Sequence, residues 1–342
     1  MLYIRTDMNR IIATGHMMRC LSIADAAKMR GEDTTFLLAD DQAADLLTKR
    51  GYRYKILHTK WNEMEAELPV LLQYIKEWSI RAILIDSYQV TQEYLKRLSE
   101  AVKTFYIDDL NAFVYPVSGL ICYASYWEKF HYPARYKNTK LYLGLQYAPL
   151  RKEFCGCKKK LIKPLVKNLL LMSGGSDPYD ILSKVLKKLE KSAFETIQVI
   201  CGVYNTKYDA LRKTYQSHKN ICIQKATDHV DVCMKQADLA ISAGGTTLYE
   251  LCAVGTPTIS YSFADNQLDN VKTFQRQGMI DYAGDARWDD VASRIVRLVE
   301  AQTVDAKMRA KRSENMQKLV DGKGAGRIAG QLMNCLMEDV EN

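Results

Sequence analysis

"LLLMSGGSDPYDIL", residues 169–182, decides how this chain is read. An apolar run ends in Ser173-Gly174-Gly175-Ser176-Asp177, and helical spacing takes over after Pro178. A strand that enters a glycine turn and leaves as a helix is the repeating unit of a parallel α/β sheet. The design recurs in "DLAISAGGTTLYELCAVGTP", residues 238–257, where Gly244-Gly245 follow a strand and Thr246-Thr247 open a helix. Around these two turns, "NLLLMS" (168–173), "ETIQVICG" (195–202), "NICIQKA" (220–226), "DLAISA" (238–243) and "TPTISYS" (256–262) read as strands. "DILSKVLKKLEKS" and "TLYELCAVG" read as helices between them.

The first half of the chain repeats the alternation. "RAILID" (81–86), "KTFYID" (103–108) and "GLICY" (119–123) have the short apolar form of buried parallel strands. "GHMMRCLSIADAAKMRG" and "TQEYLKRLSEAV" have helical periodicity. The two series meet near residues 150–165, where Cys, Gly, Lys and Pro cluster. A single core for 342 residues is unusual, so two domains are expected. The expectation is an N-terminal Rossmann-like domain over 1–150, a second over 163–324, and a C-terminal helix over 325–342. The fold class expected is α/β, two Rossmann-like domains facing a cleft.

Bulk composition narrows the function classes. Apolar residues make up 47% and charged residues 26%, as in ordinary globular proteins. The net charge of +8 is spread through mixed runs such as "SKVLKKLEKS". That suits an anionic small ligand better than a nucleic acid. No window approaches the run of roughly 18 apolar residues that a membrane helix needs. The first residues lack a charged start followed by an apolar stretch, so no secretory signal is expected. Nine cysteines at irregular spacing fit reduced thiols in a cytoplasmic protein. Cys155-Gly-Cys157 lacks neighbouring ligands and reads as two loop cysteines rather than a metal site.

Ligands of open parallel sheets bind beyond the carboxyl ends of the strands, so the loops there hold the candidates. In 173–177, glycines can turn backbone amides outward at a helix start, which suits a phosphate. The competing reading is a tight turn with Asp177 as helix cap. In 244–250, Thr247 and Glu250 have capping-box spacing, while Glu250 could instead accept hydrogen bonds from ribose hydroxyls. Asp86, Ser87 and Tyr88 in "IDSYQ" could hold a sugar or a water, or form a solvated turn. Finally, "RTDMNRIIATGHMMRC" (5–20) follows the first strand and puts His16 at a helix start. A helix N-terminus is a poor place for a cationic imidazole, so His16 reads as a proton acceptor. G-x-G-x-x-G and G-x-x-x-x-G-K are absent here, which argues against an NAD enzyme and a P-loop NTPase. G-x-S-x-G and H-E-x-x-H are absent too.

Taken together, these motifs resemble a known family. "RTDMNRIIATGHMMRCLSIA" looks like the start of the UDP-sugar hydrolases of the pseudaminic acid pathway, which release 2,4-diacetamido-2,4,6-trideoxy-altrose from UDP. "LIDSY", "YIDD" with Asp108-Asp109, "GLQYAPLRKEF" (144–154), "MSGGSDP" (172–178) and "ISAGGTTLYELCAVGTPTI" (241–259) follow in order across residues 3 to 275. The family is similar in fold to the glycosyltransferase-B enzymes, including the peptidoglycan UDP-N-acetylglucosamine transferase. The resemblance implies UDP on the second domain and the sugar facing the first across the cleft. It places the catalytic histidine on His16 and an active-site tyrosine on Tyr88, with Asp7 orienting His16 or binding sugar. Sugar-side contacts fall on Arg5, Asn9, Gly15, Arg19, Asp86, Asp265, Asn266 and Gln267. UDP contacts fall on Ser173, Gly174, Gly175, Ser176, Val230, Ala243, Gly244, Gly245, Thr246, Thr247 and Glu250. The chain departs from the family at Ala13, where a glycine is common, and near Cys122-Tyr123, where an asparagine is common.

The expected chemistry is water attack at the anomeric carbon with His16 as general base and inversion, the glycine-rich helix starts holding the leaving diphosphate. No D-x-D metal motif is evident, and neither a metal nor a cofactor is expected. The expected partner is a UDP-sugar, with no nucleic acid and no membrane. A monomer is expected, with a weak dimer as the alternative. An inverting UDP-sugar glycosyltransferase is the runner-up, a non-catalytic sugar-nucleotide binder the third reading, and a dehydrogenase the last.

Overall fold

The computed structural model describes residues 1–12, 14–227 and 229–337. Ala13, singled out above, lies outside the described residues, as do 338–342 of the C-terminal run. The chain divides into two compact units: Met1–Lys152 with Gly322–Asn342, and Glu153–Asp321.

In the first unit the order is β1 (Leu2–Thr6), α1 (Gly15–Lys28), β2 (Thr34–Leu38), α2 (Ala44–Arg50), β3 (Arg53–Ile56), α3 (Met64–Glu77) and β4 (Ala82–Asp86). Then come α4 (Gln92–Ala101), β5 (Lys103–Ile107), β6 (Gly119–Cys122), α5 (Tyr132–Arg135) and β7 (Lys140–Leu143). The seven strands form one parallel sheet in the order β3-β2-β1-β4-β5-β6-β7. Every residue of β1, β2 and β4 is buried, as sheets covered on both faces require. Tyr3, Leu37, Ile83 and Ile85 pack on Met64, Leu68 and Leu71 of α3 and on Tyr94, Leu95 and Leu98 of α4.

The second unit runs β8 (Asn168–Met172), α6 (Ile181–Leu189), β9 (Thr196–Cys201), α7 (Tyr208–Tyr215), β10 (Ile221–Lys225), α8 (Val230–Gln236) and β11 (Leu239–Ala243). It continues with α9 (Thr247–Val254), β12 (Thr258–Ser262), α10 (Asp265–Arg276), β13 (Ile280–Asp285), α11 (Val291–Val304) and α12 (Ala306–Leu319). Its parallel sheet is β10-β9-β8-β11-β12-β13. The last helix, α13 (Gly324–Met337), returns to the first unit and packs on α1, burying Ile328, Ala329 and Leu332.

Each sheet reverses its strand order once, beside β1 in the first and beside β8 in the second. Loops leaving the strands on either side of that point diverge and leave room for a ligand. The loop after β1 leads to His16 in the first turn of α1, the loop after β4 carries Tyr88, and those after β8 and β11 carry the two glycine pairs. Among the described residues, no helix is long and apolar enough to cross a membrane, and no cysteine forms a disulfide.

Candidate functional site

In the first unit, α1 starts at Gly15 and sets His16 and Arg19 one turn apart on the same side of the helix. Both reach the last residue of β4. His16 Nδ1 lies 2.7 Å from Asp86 Oδ1, and Arg19 Nε lies 2.6 Å from Asp86 Oδ2. Arg19 Nη2 lies 2.5 Å from Asp86 Oδ1 and 2.9 Å from His16 Nδ1. One ring nitrogen cannot donate to the carboxylate and accept from the guanidinium together. The carboxylate is the nearer of the two and only accepts, so Nδ1 carries the proton and Arg19 spends its N–H on Asp86. Nε2 is then the nitrogen with the lone pair. Among the described residues it makes no hydrogen bond.

Burial alone would raise the Asp86 carboxyl, but Arg19 and then His16 outweigh it and hold Asp86 well below the usual carboxylate range. Asp86 therefore stays charged while it orients the imidazole. Tyr88 stands edge-on to His16, the ring centroids 4.5 Å apart and the planes at 80°. Its hydroxyl donates to Asp109 Oδ2 at 2.9 Å. Burial and then the Asp109 carboxylate push the Tyr88 phenol well above its ordinary value, so it remains a donor. Arg19 Nη1 completes the cluster by donating to Tyr123 Oη at 2.8 Å, and burial pushes the Tyr123 phenol up to about 12.

Several expected sugar contacts have other work. Asp7 makes no hydrogen bond to His16. Its carboxylate accepts from Arg5 Nη1 at 2.5 Å and from the Ala39 amide at 2.8 Å, which ties β1 to the end of β2. Arg5 is fully buried and forks onto Glu67, with Nε 2.8 Å and Nη2 2.6 Å from its oxygens. Fully buried between two carboxylates, the Arg5 guanidinium ties β1 to α3 in this arrangement, and Asp7 is held beside it. Asn9 turns its oxygen onto the Ile11 and Ile12 amides, which shapes the loop before α1. A side chain at Gly15 would meet empty space, so crowding does not require glycine there.

In the second unit the two glycine turns differ. Asp177 accepts from the Ile181 and Leu182 amides, each at 2.9 Å, so the start of α6 is closed by its own carboxylate. A negative side chain therefore occupies the positive end of α6, as the capped-turn reading expects. The start of α9 is open. The cap residue Thr246 makes no side-chain cap bond, and the amides of Gly245, Thr246 and Thr247 donate to no described residue. The Thr247–Glu250 capping box does not form, because Thr247 already lies inside the first turn. Gly244 is needed for close packing: a Cβ there would lie 2.4 Å from Val271 Cγ1.

Ser173 is buried and its hydroxyl has no partner among the described residues. Ala243 ends β11 and Val230 begins α8, both buried, while Ser176 is partly exposed. Gln267 faces inward and accepts from the Phe263 amide at 3.0 Å, so its oxygen is spent on the loop. Asp265 and Asn266 are exposed, and Asp265 pairs with Arg287 at 2.7 Å. Motif reading did not single out Gly202, where a Cβ would sit 2.0 Å from the Gly174 carbonyl oxygen. Its only trace in the sequence is one glycine at the end of "QVICG".

Residues 169–322 match the glycosyltransferase family 28 C-terminal domain. Along nearly its whole length the chain is similar to the spore coat polysaccharide biosynthesis protein SpsG of Bacillus subtilis (strain 168). That match is 24% identical over 332 residues, covering 95% of this chain and 96% of SpsG. Among solved structures, Acinetobacter baumannii MurG superposes with a TM-score of 0.67 at 13% identity, covering 97% and 99% of the two chains. The glycosyltransferase VinC, solved with dTDP, gives 0.68 at 8% identity over 98% and 99%. Two parallel-sheet Rossmann-like units of seven and six strands, with these neighbours, make the fold glycosyltransferase-B.

Proposed function

We propose that this protein is a hydrolase that cleaves a UDP-linked diacetamido-trideoxy sugar at its anomeric carbon, with inversion, to free sugar and UDP. The observation that carries the reading is the Asp86–His16 contact, which leaves Nε2 as the basic nitrogen. Nε2 takes a proton from water as the water oxygen bonds to the anomeric carbon. The bond from that carbon to the diphosphate breaks, and its electron pair leaves on UDP. Nδ1–H donating to Asp86 stabilises the imidazolium that forms, while Arg19 keeps Asp86 from taking the proton itself. One base opposite one leaving group gives inversion.

For the nucleotide, the open amides at the start of α9 support a diphosphate at Gly244–Thr247, with Glu250 accepting from the ribose and Val230 beside the base. The reaction is neither a redox nor a cofactor-dependent step. Its place is a cytoplasmic sugar-nucleotide pathway.

A UDP-sugar glycosyltransferase is the second reading, favoured by the family 28 match over 169–322. It would use the same base on an acceptor hydroxyl. Incubation with the UDP-sugar and no acceptor separates the two. Release of UDP and free sugar in equal amounts is expected. UDP release that waits for an added acceptor would make the protein a transferase.

A further inference from the structure

A cavity of about 450 Å³ opens at the amino-terminal end of the first sheet. Tyr3, Thr35 and Arg53 line it from the start of β1, β2 and β3, where they stand side by side in register. Residues paired in this way share one face of the sheet, and Lys55, two positions along β3, shares it too. Asp86 closes the opposite end of the same sheet, so the cavity is separate from the cluster around His16.

The end of α3 forms the wall over this row. Tyr74 and Trp78 stack with ring centroids 4.6 Å apart, and Trp78 carries the stack on to Tyr3 at 6.1 Å. Trp78 follows the last residue of α3 and stays 38% exposed. Lys55 Nζ lies 5.2 Å from the centre of the Tyr74 ring.

The polar groups at the cavity are donors. None of the residues that line it carries a carboxylate. Lys55 forms no ion pair among the described residues. Arg53 spends Nη2 on Asp33 at 2.8 Å, while its Nε and Nη1 donate to no described residue. Met1, also at the cavity, has its ammonium held by Glu32. Tyr3 is only 8% exposed, and its hydroxyl has no hydrogen-bond partner among the described residues, yet that atom is not shut off from solvent. An unspent phenol beside a guanidinium and an ammonium is a donor set for an anion.

We propose that this cavity binds a small aromatic anion, its ring packed on the Trp78 indole and its acidic group held by Arg53, Lys55 and the Tyr3 hydroxyl. The volume is that of a small-molecule site. A bare anion would leave the exposed indole unused, and a neutral ring would leave the cations unused. The ligand is not the substrate of His16, and the proposal is independent of the UDP-sugar reading.

Ligand-observed NMR titrations of the full chain test it. Phenyl phosphate and phenylacetate are the probes, and inorganic phosphate and benzyl alcohol represent their two halves. At least one aromatic acid is expected to bind with a Kd of about 1 mM, and each half about tenfold more weakly. The tighter of the two acids tells a phosphate site from a carboxylate site. Tyr3→Phe keeps the ring stack and removes the hydroxyl, Lys55→Gln removes a charge, and Trp78→Ala removes the wall. Each should weaken the bound acid about fivefold or more, with melting curves showing the variants folded. No binding of either acid, a half-probe that binds as well as the whole, or folded variants that bind like the parent would overturn the proposal. Displacement of the acid by UDP would also overturn it, by placing the probe at the nucleotide site.

Discussion

Asp86 Oδ1 stands 2.7 Å from His16 Nδ1, on the last residue of β4 and the second residue of α1. The two are 70 residues apart in sequence and meet because β1 and β4 are neighbours in register, with Thr6 opposite Asp86. This contact fixes the imidazole's orientation and leaves Nε2 as the nitrogen with the lone pair.

Asp86→Asn keeps the size of the side chain and removes its charge. Turnover should fall by at least about 10²-fold, while UDP affinity, measured by calorimetry, stays within twofold (about 0.4 kcal/mol). The change should also destabilise the protein by about 3 kcal/mol at pH 7, since Arg19 is left beside a neutral group. The sign with pH follows from the depressed carboxyl. Its stabilisation is complete above the unfolded value of about 3.9 and fades as pH falls toward the lower folded value. Urea unfolding at pH 7 and pH 3 should therefore show a smaller gap between the two proteins in acid.

Arg5→Met is a test of fold rather than of substrate. It leaves Glu67 and Asp7 buried without their cation, at a cost of about 3–5 kcal/mol. Urea unfolding should show the loss. Unchanged stability with a raised KM would restore Arg5 as a sugar contact.

Gly202→Ala should sharply lower the melting temperature of the second unit, because its Cβ meets the Gly174 and Gly175 backbone at 2.0 and 2.4 Å. Gly245→Ala has open space around its Cβ and should leave the melting temperature almost unchanged. Thermal denaturation of the two variants side by side checks the contrast.

Asp177→Ala removes the carboxylate from two amides at the start of α6. A loss of about 1 kcal/mol in chemical unfolding is expected, as for other helix caps.

Much of this fold was legible in the sequence because buried parallel strands are continuous apolar runs. β4, β5, β8, β9 and β11 fall inside the runs read as strands. β3, "RYKI", and β7, "KLYL", did not stand out, because edge strands keep charged and half-exposed residues that break the run. At the site, His16 was found from its place at a helix start, while Asp7 was expected to orient it or to bind sugar. Asp7 is nine residues away in sequence and Asp86 is 70, and only the sheet order brings the distant one within bonding range. The two glycine pairs looked alike as sequence. What separates them is where one carboxylate folds back: Asp177 onto α6, with no counterpart capping α9 among the described residues.

The central claim is that water, activated by His16, attacks the anomeric carbon. Turnover of the UDP-sugar in ¹⁸O-water, with products analysed by mass spectrometry, tests it directly. The label should appear in the anomeric hydroxyl of the free sugar and be absent from UDP, and His16→Ala should slow its appearance by roughly 10²–10⁴-fold. Label in the UDP phosphate, or full incorporation by His16→Ala, would contradict the account.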